Sequence, residues 1–153
     1  MLIRSGQEAL YVACEMERGA IQTYERALML TDPNDPQLAP LRQHLELILA
    51  DERQHLQQFS ALYDGLDAGL EQQLMLAAVA SAVLFDGGLM AAVRKGMLKD
   101  TANLLTFAAD AEQKAMETYR EFAKACEDPE AATILNGIAA EEEKHLQTLL
   151  SYQ

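Results

Sequence analysis

Tryptophan is absent from this chain, and only two cysteines, four prolines and eight glycines occur among its 153 residues. So little proline, in a sequence rich in Ala, Leu, Glu, Gln and Met, favours helices over strands. Positive charge is also scarce: 12 Lys and Arg stand against 24 Asp and Glu, a formal net charge of −12. Nucleic acid and anionic membrane surfaces are recognised by clustered Lys and Arg, so both are excluded as expected partners. Cys14 and Cys126 are too few for a Cys-rich metal domain or a secreted disulfide framework, and both are expected to be reduced. The longest apolar run, Leu74 to Phe85, is too short for a bilayer and is closed by Asp86-Gly87-Gly88. No basic-then-apolar signal pattern opens the chain, because Glu8, Glu15 and Glu17 come too early for one. The expectation is a cytoplasmic protein with a single domain over 1–153, large enough for a real hydrophobic core.

What the sequence does contain is an internal repeat of chemically active residues. Asp51-Glu52-Arg53-Gln54-His55-Leu56-Gln57 returns as Glu141-Glu142-Glu143-Lys144-His145-Leu146-Gln147. Upstream, Glu17-x-x-Ala20-x-x-Thr23-Tyr24 returns as Glu112-x-x-Ala115-x-x-Thr118-Tyr119. The order is Glu, Glu-x-x-His, Glu, Glu-x-x-His. Residues three apart on a helix share a face, one turn above the other. Two helices giving one Glu each, with two giving Glu-x-x-His, make the inward ligand set of dinuclear carboxylate bundles.

The surroundings of these residues separate a buried site from a solvated charge run. The helical stripe through Glu52 and His55 is otherwise apolar: Leu38, Leu41, Leu45, Ile48, Phe59, Leu62. Its counterpart reads Leu135, Ile138, Glu142, His145, Leu149. Glu17 sits among Leu10, Ala13, Ile21 and Leu28, and Glu112 among Leu105, Ala108, Met116 and Phe122. Each unpaired charge in such a core costs several kcal/mol, and no Lys or Arg falls on these faces. Two divalent cations would make a neutral cluster with four Glu and two neutral His. Asp51, Glu141 and Glu143 lie off the stripe and read as ordinary solvated charges. Cys14, one turn before Glu17, reads as a small buried hydrophobe, and His44 as an outward-facing residue.

Helices are expected over about Ser5–Leu30, Gln37–Tyr63, Asp100–Cys126 and from Pro129 to about Leu150. Asp32-Pro33-Asn34-Asp35-Pro36 and Asp128-Pro129 punctuate the two hairpins. Between them, 67–99 reads as two shorter crossover helices broken at Asp86-Gly87-Gly88. The fold class is all-α: two antiparallel hairpins with a long helical crossover between helices two and three.

The paired Glu…Glu-x-x-His halves resemble the ferritin-like superfamily, and within it the rubrerythrin-like branch, over about three quarters of the chain. That resemblance implies a four-helix bundle with two iron ions, or two manganese ions, or a mixed pair. It implies that Glu17 and Glu112 are terminal ligands, that Glu52 and Glu142 bridge, and that His55 and His145 each bind one metal. It also implies that Tyr24 and Tyr119 hydrogen-bond to the site. Bacterioferritins carry a haem methionine after the first bridging Glu; Arg53 stands there, so no haem is expected. The four cysteines of a rubredoxin domain do not occur, so a separate donor such as a rubredoxin or a reductase is expected. Storage ferritins lack the second His pattern and append a fifth helix. Carboxylate and imidazole suit iron and manganese. The leading expectation is a homodimeric oxidoreductase that reduces hydrogen peroxide, a peroxidase of oxidative stress, with dioxygen as the other conceivable oxidant. Alternatives are a ferroxidase or iron-handling protein, a dimanganese catalase and a di-iron hydroxylase.

Overall fold

The computed structural model describes residues 1–84, 93–96 and 100–153. Among them are five helices: α1 (Gly6–Leu30), α2 (Ala39–Leu62), α3 (Ala68–Ala80), α4 (Thr101–Ala125) and α5 (Pro129–Leu150). No strand occurs among the described residues. None of these helices is long and apolar enough to cross a membrane. Helix α3 lies where the first expected crossover helix was placed. The break at Asp86-Gly87-Gly88 lies outside the described residues, and of the second expected helix only 93–96 are described, with 93–94 helical.

Capping explains where the helices start. The Ser5 hydroxyl accepts from the Glu8 amide at 3.2 Å, and the Asp100 carboxylate accepts from the Asn103 amide at 2.8 Å. Asp128 accepts from the Glu130 amide, with Pro129 opening α5 where no amide donor is needed. Helix α2 begins at Ala39, two residues later than the sequence suggested. Asp35 takes the Gln37 amide on its side chain at 2.9 Å and the Leu38 amide on its carbonyl at 3.1 Å. Residues 36–38 are thereby held as a turn on Asp35, and the regular helix follows it. At its other end α2 is held by Gln7 of α1, whose amide group donates to the Leu62 carbonyl and accepts from the Asp64 amide.

Helices α1 and α2 form one hairpin and α4 and α5 the other, and the hairpins face each other along α1–α4 and α2–α5. Their apolar stripes fill two separate cores. One core gathers Leu10, Val12, Phe59, Leu74, Leu135 and Ile138. The other gathers Leu41, Leu45, Ile48, Leu104, Leu105 and Leu149. Helix α3 lies against α1 and contributes Leu74 and Ala78 to the first core. Between the two cores lies a buried polar layer, and the cores wall it off from solvent at both ends.

Leu45 is fully buried in the second core. Leu45→Ala is expected to lower unfolding free energy by about 2–5 kcal/mol, the usual cost of a core cavity. A urea midpoint that does not move would show that this end of the bundle is not close-packed.

Candidate metal centre

The buried layer consists of Glu17, Glu52, His55, Glu112, Glu142 and His145, each at most 5% exposed. These are the six residues singled out from the repeat, and the structure brings all of them together. Helix α1 supplies Glu17, α2 supplies Glu52 and His55, α4 supplies Glu112, and α5 supplies Glu142 and His145. Their donor atoms form two groups able to hold a cation. One is Glu17, Glu52, His55 and Glu142; the other is Glu52, Glu112, Glu142 and His145. Glu52 and Glu142 belong to both.

Each imidazole faces the carboxylates with Nδ1. His55 Nδ1 lies 2.8 Å from Glu142, 3.7 Å from Glu17 and 3.7 Å from Glu52. His145 Nδ1 lies 3.0 Å from Glu52, 3.6 Å from Glu112 and 3.7 Å from Glu142. The rings stack with centroids 5.9 Å apart. The outer nitrogens are already engaged: His145 Nε2 with Asp51 at 2.9 Å, and His55 Nε2 with Glu141. A carboxylate can only accept from the ring, so each Nε2 carries the hydrogen. A neutral ring, as a metal ligand must be, would then present the Nδ1 lone pair to the interior, whereas a protonated ring points an N–H at the carboxylates.

Asp51 and Glu141 therefore do not behave as the free surface charges that their helix faces suggested. Each is about half exposed, yet each holds the imidazole of the opposite hairpin. A single-helix stripe shows what lies on one face of one helix and says nothing of the helix across the seam. A signal was nonetheless present, because both halves carry an acid immediately before the shared Glu. Glu143 does match the expectation, in an exposed pair with Arg120 at 2.9 Å. His44, exposed on α2, binds the Tyr152 hydroxyl and not the site.

The tyrosines also cross between hairpins. The Tyr119 hydroxyl of α4 donates to Glu17 of α1 at 2.7 Å, and the Tyr24 hydroxyl of α1 donates to Glu112 of α4. Burial, followed by the neighbouring carboxylates, pushes both phenols well above their ordinary value, so they remain donors.

Among the described residues, seven buried side-chain polar atoms have no hydrogen-bond partner. Six of them belong to this cluster, one on each residue: Glu17 Oε2, Glu52 Oε1, His55 Nδ1, Glu112 Oε2, Glu142 Oε1 and His145 Nδ1. An unsatisfied buried acceptor costs about 1–3 kcal/mol, more when charged. All six are lone-pair donors directed at common points, and a divalent cation at each point would satisfy them. Oxygen and imidazole nitrogen without thiolate suit iron and manganese, so the residues fit a dinuclear site.

Without cations, protons must relieve the repulsion. Burial raises Glu17, Glu52 and Glu112 above the ordinary carboxylate value, and neighbouring carboxylates add to the rise. Burial pulls His55 down, but the carboxylates of Glu142 and Glu17 outweigh it and hold the ring at about 10. Glu142 is held low against its own burial, by Glu112 and by the two imidazoles close beside it.

Groups held high in the fold bind protons more tightly folded than unfolded. The stability they contribute is present at low pH and is lost as pH rises through their folded values. The metal-free protein is therefore expected to lose thermal stability from about pH 5 to about pH 9. Glu142, held low, acts oppositely, but only below its ordinary value of 4.5. Metal binding must displace the same protons, so the stabilisation by metal should widen over that range. Melting curves with and without chelator at several pH values measure both trends, and parallel curves would mean that the carboxylates are not clustered.

A family model described as Rubrerythrin matches residues 8–151, nearly the whole chain. No curated protein and no solved structure matches it. The matched span contains all six clustered residues, both hydrogen-bonded tyrosines and the helices that carry them. The chain belongs to the rubrerythrin family, a ferritin-like family of di-iron proteins.

Proposed function

We propose that the chain is a single ferritin-like domain over 1–153 that binds two iron ions and reduces hydrogen peroxide with electrons from an external donor. Glu17 and Glu112 would hold the ions as terminal ligands, Glu52 and Glu142 would be shared between them, and His55 and His145 would each bind one through Nδ1. The observation that carries this reading is the pair of four-residue donor groups sharing Glu52 and Glu142. Family membership supports iron as the metal, with manganese or a mixed pair as the other ions that this donor set accepts.

Two iron(II) ions held by these residues would supply one electron each, and with two protons from solvent that is what one hydrogen peroxide needs to become two waters. The chain's own residues prepare that chemistry. Asp51 and Glu141 fix the orientation and tautomer of the imidazoles and raise their basicity as ligands. Tyr24 and Tyr119 each hold one oxygen of a terminal carboxylate and leave the other free to bind metal. The two apolar cores keep bulk water from the bridging carboxylates, which strengthens every charge interaction between them. The reading extends to a cytoplasmic homodimer supplied by a separate electron-donor protein, as the family resemblance suggests.

Elemental analysis of protein from iron-replete cells should find about two metals per chain, the capacity of this ligand set. In stopped flow the reduced protein should consume hydrogen peroxide much faster than dioxygen, and sustained turnover should need an added donor. Faster reaction with dioxygen and accumulation of ferric mineral would instead indicate iron handling. Donor-free oxygen evolution from manganese-loaded protein would indicate a catalase. Separately, Asp51→Asn with Glu141→Gln should weaken metal binding by about 10–100-fold, the usual effect of losing such ligand supports. Unchanged affinity in a competition titration would show that these two acids are bystanders.

A further inference from the structure

A third tyrosine–carboxylate hydrogen bond lies outside the metal site and plays no part in holding it. The Tyr63 hydroxyl, at the end of α2, donates to Glu71 of α3 at 3.1 Å. Its ring meets that of Tyr11 with centroids 5.9 Å apart. Both are partly buried, and together with Cys14 and Glu71 they line a cavity of about 430 Å³. Aromatic rings lead inward from this cavity. Phe59, one turn before Tyr63 on α2, packs edge-on against Tyr119 at 5.3 Å, and Tyr119 donates to Glu17. All four rings belong to the same core.

We propose that Tyr63, paired with Tyr11, is a redox-active tyrosine, giving an electron inward to the oxidised site and recovering one from an external donor at the cavity. The inference rests on the proposed peroxide chemistry. Oxidation turns a phenol into a strong acid, so a tyrosine gives up an electron readily only when a base can take its proton. Glu71 is that base, and Tyr63 is neutral at rest because burial, followed by Glu71, pushes its phenol up to about 12. In each event Tyr63 loses one electron inward and its proton to Glu71; the donor then returns the electron and Glu71 returns the proton. When no donor is present, the two oxidised phenols stand 5.9 Å apart between ring centroids, close enough to react with each other. They couple: one carbon–carbon bond forms between the Tyr11 and Tyr63 rings, two ring C–H bonds break, and one hydrogen peroxide becomes two waters. Electron tunnelling falls steeply with distance, and the rings divide the route from Glu17 to the cavity into short spans. Tyr152 provides an internal contrast. It also has a base, His44, but lies against the opposite core, away from this series of rings.

The test treats dilute iron-loaded protein with excess hydrogen peroxide and no donor, beside a metal-free sample, and maps the products by peptide mass. The expected product is a Tyr11–Tyr63 linked peptide, with dityrosine fluorescence, formed only in the loaded protein. Adding a one-electron donor should suppress it. Tyr63→Phe should abolish the link while keeping metal content and helicity, since the ring still packs on Tyr11. Glu71→Gln should reduce the yield severalfold, because the proton acceptor is gone. Equal linkage in the metal-free sample would overturn the proposal. So would oxidation confined to Cys14, to Tyr152 or to Tyr24 and Tyr119. Peroxide consumption with both Tyr11 and Tyr63 intact overturns the relay alone; loaded protein that fails to consume peroxide overturns the relay and the proposed function together.

Discussion

Repulsion among four buried carboxylates is the constraint on which the rest of this structure depends. Glu17, Glu52, Glu112 and Glu142 share one small volume with at most 3% exposure each, where unpaired charges cost several kcal/mol apiece. A fold that tolerates this arrangement needs a compensating positive partner and walls that keep the cluster dry. The two apolar cores above and below supply the walls. The two imidazoles, turned so that Nδ1 faces inward, hold protons among the carboxylates when no cation is bound and would give those protons up to serve as donors when one is. The polar layer is therefore a cost for the metal-free chain and a source of stability once ions bind.

Much of this was legible in the sequence, because helical period alone places residues three and four apart on one face. Glu52 and His55, like Glu142 and His145, stood out as polar breaks in apolar stripes, and the structure puts them in one layer. Pro33, Pro36 and Pro129 marked the hairpin turns for equally local reasons. Relations between helices were not legible. Asp51 and Glu141 sit on flanks whose partner is another helix, so only the recurrence of an acid before each shared Glu, and no property of α2 or α5 alone, sets them apart from solvated acids. The start of α2 was also misplaced, because Asp35 settles it through side-chain and carbonyl bonds that residue propensity does not reveal.

The repeat acquires a physical meaning from these cross-helix bonds. Each hairpin contributes an upstream Glu and a Glu-x-x-His to one candidate donor group, and the other hairpin completes that group with its shared Glu. Outside the ligands the exchange is repeated twice more, through Tyr24 and Tyr119 along α1–α4 and through Asp51 and Glu141 along α2–α5. The hairpins thus meet through matched polar ties at the middle and apolar packing at both ends.

That reciprocity has an evolutionary consequence. If the halves arose by duplication, they could not afterwards drift apart as independent copies, because each carries groups that only the other can use. A change at Tyr24 is felt at Glu112, and a change at Asp51 is felt at His145, so mutation in one half sets the selective conditions for the other. Divergence is freer where no tie crosses and the side chain faces solvent, as at Lys144 and its counterpart Gln54. The chain therefore ages unevenly: its two halves stay twins around the shared layer and become strangers away from it.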